Sequence, residues 1–132
     1  MPSLRDLDAW FIQYETRIEP HEHLVGDPET WQERGRPTET VTGPREYMTR
    51  VETLAEAQGV MLRCPCGTGH YIQVTFANRG VRPEQGCHGV KGEPTRWDVV
   101  SGSSLDDLTT RPSILIGGPC QWHGFITNGV AT

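Results

Sequence analysis

Two short stretches hold most of the side chains able to do chemistry: Cys64-Pro65-Cys66-Gly67-Thr68-Gly69-His70 and Pro119-Cys120-Gln121-Trp122-His123-Gly124. Each sets thiols or imidazoles beside Gly or Pro. Tight turns of that kind aim backbone N–H groups at thiolate sulfur and share its charge. A structural zinc ion takes four such ligands in tetrahedral geometry. The second stretch has the ordinary C-x-x-H ligand spacing. The first is C-x-C, one residue shorter than the common C-x-x-C, so its arc can admit one cysteine and leave the other place to His70. Two ligand sets follow: Cys64, Cys66, Cys120 and His123, or the same set with His70 in place of Cys66. Cys87 and His88 are spare candidates. The competing reading is four reduced cysteines buried for packing.

Other reactive types carry less weight. Ser113 follows Pro112, but no base is identifiable for it, so turn hydrogen bonding is the better reading. Asp106-Asp107, just after Ser104, fit the acidic first turn of a short helix better than a catalytic pair. Trp97 and Trp122 read as core and as cover for the zinc site. His21 and His23 read as exposed loop histidines. The chain has no Gly-rich phosphate loop, no G-x-S-x-G and no H-E-x-x-H. No residue is assigned a catalytic role on this evidence.

The elements that must position these residues are short. Ser3 with Asp6 three residues on predicts a capped turn, followed by a strand to about Ile18. Residues 19–46 are broken by Pro20, Pro28, Pro37 and Pro44 and predict a long irregular excursion. Thr49-Arg50-Val51-Glu52 matches a capping box, and Val51, Leu54 and Ala55 form a stripe ending at Gly59. That pattern predicts a helix over 49–58. Val60–Arg63 then forms a strand running directly into Cys64. Residues 70–77 alternate and predict a half-buried strand. Further strands are expected at 97–100 and 112–116, with a last hairpin turning at Asn128-Gly129. The expected class is α+β: a small, mainly antiparallel sheet with one short helix, rich in loops and stapled by zinc.

Composition bounds the function. The 132 residues suit one domain over 1–132, and 35% hydrophobic residues with 15 Gly and 10 Pro leave a thin core that a metal cross-link would help. Net charge is −5 and Lys91 is the only lysine, which disfavours nucleic-acid binding. No apolar run is long enough for a membrane span. The first residues lack a signal pattern, so a cytoplasmic location is expected.

Several segments resemble one known family: Thr53–Gly59, Cys64-Pro65-Cys66, Trp97, Gly102–Thr109 with Pro112-Ser113-Ile114, Cys120–Phe125 and Asn128-Gly129. In these the chain is similar to small uncharacterised proteins of phages and prophages, often labelled ammonia monooxygenase without support. The resemblance implies phage origin and metal binding, and no established activity. On this reading the chain is a phage-encoded accessory or interaction protein whose partner is a host or virion protein. The alternative is a zinc hydrolase of deaminase type, with the same site catalytic. A deaminase needs an H-x-E element that His21-Glu22-His23 does not supply. A catalytic zinc also needs an open position, whereas the ligands available here favour a closed site.

Overall fold

The computed structural model describes residues 1–31, 35–118 and 120–132. Among these residues the elements are ten strands and one 3-10 turn, so the fold is mostly β and the expected α+β class is corrected. By contacts the chain divides into two units, residues 1–14 with 48–132, and residues 15–47.

The first unit is built around a sheet. Strands β1 (Trp10–Leu24), β2 (Thr38–Val51), β3 (Gly59–Arg63) and β4 (Tyr71–Thr75) lie in the order β2-β1-β3-β4. β3 pairs antiparallel with both neighbours, setting Trp10 opposite Met61 and Arg63 opposite Tyr71. The alternation read from 70–77 is seen: Ile72, Val74 and Phe76 are buried while Tyr71 is exposed. They join Leu4, Phe11, Val60, Leu62 and Trp97 in the core. Ser3 and Asp6 exchange the expected capping bonds at 3.0 and 3.2 Å, which holds Leu4 and Leu7 inward.

No helix forms over 49–58. Residues to Val51 finish β2, and Thr53 makes a turn in which Thr53 Oγ1 donates to Glu56 at 2.8 Å. Glu56 N–H donates to Thr53 Oγ1 at 3.4 Å, so one of the two foreseen capping bonds is made four residues later, by a turn. Strand pairing of β2 overrode the local helical pattern, as long-range pairing commonly does. Gly59 is no helix terminus either. It lies in β3, where a Cβ would come within 2.9 Å of Val74 O and 3.0 Å of Tyr14 Oη.

The second unit corrects the expected excursion. β1 continues to Leu24 and β2 begins at Thr38, so Pro20 and Pro44 sit inside strands. In a two-stranded ribbon alternate N–H groups point outward, where proline loses no ladder bond. Within this unit Thr16 donates to Glu46 at 2.8 Å and Arg17 stacks over Tyr47 at 4.2 Å. Asp27 caps the 3-10 turn Pro28–Thr30. Residues 32–34 of the expected excursion lie outside the described residues.

The remaining strands are short pairs: β5 (Asp98–Ser101) with β6 (Thr109–Arg111), β7 (Ile114–Leu115) with β8 (His123–Gly124), and β9 (Ile126–Thr127) with β10 (Val130–Ala131). The last is the foreseen hairpin, its turn made by Asn128 and Gly129 at φ 48° and 74°. Among the described residues no helix is long and apolar enough to cross a membrane.

Candidate metal centre and serine–histidine pair

Two hairpin ends meet at the cysteines. β3 and β4 are in register at Arg63 and Tyr71, so Cys64 and His70 continue the pairing, and Cys64 N–H donates to His70 O at 2.8 Å. Cys66 lies at the top of that loop, where Gly67 and Gly69 take φ values of 83° and 91°. Cys120 comes from the other hairpin, in the loop between β7 and β8. Sγ of Cys64 and Cys120 are 3.3 Å apart, and Cys66 Sγ is 3.2 Å from His70 Nε2.

All four ligand atoms lie within 4.8 Å of one another. A tetrahedral ion with metal–sulfur bonds of about 2.3 Å sets its ligands about 3.8 Å apart, so the group fits such an ion. Of the five residues foreseen as ligands, the structure brings together Cys64, Cys66, His70 and Cys120. Both sequence-derived sets included His123, and this group has His70 and Cys66 together instead. Pro119, beside Cys120, lies outside the described residues.

The thiols are not equivalent. Burial pushes the Cys64 thiol up to about 12, with a further rise from its contact with Cys120. Cys66 is drawn down to about 6, first by the Thr68 hydroxyl 3.0 Å from its sulfur and then by the Thr68 backbone N–H. The pair therefore offers one ready thiolate beside a thiol that must shed its proton to a binding metal. The spare candidates are employed elsewhere. Cys87 Sγ donates to Gln73 O at 3.0 Å, and both ring nitrogens of His88 face backbone carbonyls, of Gly86 at 3.0 Å and Pro83 at 2.9 Å.

His123 lies in β8, with its Nε2 2.9 Å from Ser113 Oγ. Strand geometry explains the contact. Leu115 is opposite His123 and Ile114 opposite Gly124. Side chains of a strand alternate between faces, so Ser113, Leu115 and His123 share one face. Ser113 and His123 are then diagonal neighbours, about 7–8 Å apart at the backbone, which an imidazole can bridge. The opposite face is anchored, since Ile114 is fully buried. Gly124 has no room for a Cβ against Thr132 O and the Trp122 ring.

The Ser113 backbone is held from the core. Trp97, 7% exposed, donates its indole N–H to Ser113 O at 3.2 Å. Ser113 itself is half-buried and His123 exposed, so both are reachable. Among the described residues this is the one serine hydroxyl that meets an imidazole. Sequence reasoning found no base for Ser113 because His123 had been given to the metal. Asp106 and Asp107 have other work: Asp107 accepts from Ser103 and Ser104 N–H at 2.8 and 2.9 Å, which holds its carboxyl below the usual range.

Residues 32–132, more than half of the chain, match a family described as "Bacterial ubiquitination-like system serine protease (BubE)". No curated protein and no solved structure matches the chain.

Proposed function

The chain belongs to the BubE family, and from that premise we propose that it is a serine peptidase with Ser113 as nucleophile and His123 as general base. The carrying observation is the 2.9 Å contact between Ser113 Oγ and His123 Nε2. With its ring proton on Nδ1, His123 accepts the Ser113 proton through Nε2.

The reaction follows from that contact. Ser113 Oγ attacks the scissile carbonyl carbon and a C–O bond forms as the proton passes to His123 Nε2. The C–N bond breaks and the amine leaves with that proton. Water then attacks the acyl ester, giving a proton to His123, and the acid departs as the proton returns to Ser113. The family's description names a ubiquitination-like system, so the substrate proposed here is a protein of such a system.

The metal is proposed to be zinc and to be structural. Three thiolates and an imidazole are soft, borderline ligands that suit zinc. Four protein ligands fill a tetrahedron and leave no position for water, unlike a hydrolytic zinc. Cys64, Cys66, His70 and Cys120 would hold the ion, whose role is to fix the β7–β8 loop. The phage accessory role inferred from sequence is the alternative reading, favoured by no contact in the site.

A fluorophosphonate probe tests the proposal. Wild type is expected to be labelled at Ser113, and Ser113→Ala and His123→Ala to lose labelling while keeping their thermal midpoint. Unlabelled, folded wild type would remove the peptidase reading and leave the accessory role.

A further inference from the structure

We infer that the outer edge of β7 at Leu115 docks the backbone of an extended, apolar peptide segment beside Ser113, a substrate mode that rests on the peptidase reading above. The backbone directions carry the inference. Ile116 N–H donates to Trp122 O at 2.8 Å. In an antiparallel pair, hydrogen-bonded and non-hydrogen-bonded positions alternate. The Leu115–His123 pair is therefore the non-bonded kind, and both the N–H and the C=O of Leu115 point away from β8. β7 pairs with β8 alone in its sheet. Among the described residues no partner is recorded for these two groups.

The edge is open over a limited length. Ser113 C=O points to the same side and is capped by the Trp97 indole. A docking strand is thus excluded at Ser113 itself and admitted from Leu115 onward. A paired strand lies about 4.8 Å away, close enough for the neighbouring residue's carbonyl to reach the Ser113 hydroxyl.

The surroundings select side chains. Leu115 is 66% exposed, an apolar group left uncovered next to the serine and histidine, and Phe125, 40% exposed, carries the Arg111 guanidinium 5.0 Å over its ring. A cleft of about 420 Å³ opens farther along, lined by Thr68, His70, Ile116, Gly117 and Cys120. A main-chain ladder with flanking apolar contacts is how sheet edges bind extended peptides.

Leu115→Pro removes the N–H from a position outside the β7–β8 ladder, where proline is tolerated. Two reagents are compared: a simple fluorophosphonate and a tripeptidyl phosphonate with apolar side chains. The ratio of the variant's rate with the second reagent to its rate with the first is expected to fall roughly tenfold from the wild-type ratio, about one net hydrogen bond. Leu115→Ala, which keeps the N–H, should lower the ratio less. An unchanged ratio overturns the docking edge and leaves the peptidase reading standing. A wild type that the fluorophosphonate does not label overturns both. Should Leu115→Pro not fold, amide exchange in wild type decides. The Leu115 amide is expected to slow in the tripeptidyl adduct and not in the simple one, and equal exchange in the two adducts overturns the inference.

Discussion

Removing the metal should cost the protein a measurable share of its stability. The perturbation is excess chelator under reducing conditions, with Cys120→Ser beside it. Cys64 and Cys120 are 56 positions apart, and a cross-link over that span constrains the unfolded chain by about 4 kcal/mol in loop-closure terms. With roughly 2.1 cal/mol/K of unfolding entropy per residue, 132 residues turn that into a fall of about 14 °C in midpoint. The assay is thermal unfolding alongside metal analysis of the purified protein. One equivalent of zinc, lost with chelator and reduced in Cys120→Ser, is expected. A metal-free wild type whose midpoint ignores chelator would refute both the closure argument and the assignment of the four ligands.

Four further outcomes follow from particular contacts. His70→Ala should lose the metal while His123→Ala retains it, read by zinc content, because His70 Nε2 and not His123 lies 3.2 Å from Cys66 Sγ. Gly59→Ala should destabilise by about 1–3 kcal/mol in denaturant melts, since its Cβ would press on Val74 O and Tyr14 Oη at 2.9 and 3.0 Å. The Asp107 carboxyl is held low by the Ser103 and Ser104 backbone N–H groups. Its contribution is therefore present above the usual Asp range and fades as pH falls through the lowered value; Asp107→Asn should flatten that part of the stability–pH curve. Trp97→Phe keeps an apolar ring but loses the donor to Ser113 O, so fluorophosphonate labelling should slow several-fold, with a midpoint change of only a few degrees.

Much of this was legible in residue pattern, and the misses have definite causes. Alternation at Ile72, Val74 and Phe76, the turn at Asn128-Gly129 and the Ser3–Asp6 cap are local signals, and each is made locally. Cys64 and Cys120 were brought together from ligand chemistry alone. The helix over 49–58 failed because the end of β2 is held in a sheet by a strand distant in sequence. Prolines at 20 and 44 misled because the second unit is a ribbon with outward positions to spare. The Ser113–His123 pair was hidden by ligand arithmetic: C-x-x-H spacing is equally the spacing of a cysteine in a turn and a histidine that opens the returning strand. Reading 117–121 as the loop of a hairpin, with Ile116 paired to Trp122, would have set residues 113 and 123 on one face and exposed the pair.

That shared hairpin binds the two sites into one argument. β7 and β8 have two residues each, and so short a hairpin does not hold its own geometry in water. Acyl transfer loses rate steeply when the nucleophile and base shift by even an ångström. The positions of Ser113 and His123 must therefore be imposed from outside the hairpin. Ile114 buried in the core and Trp97 on Ser113 O fix the β7 end. The opposite end, where the chain turns back, has Cys120 in the metal group. Chelation well below the melting midpoint should consequently slow labelling of Ser113 before it unfolds the chain, and added zinc should restore it. Labelling that persists unchanged in folded, metal-free protein would separate the sites and leave the ion a purely global staple.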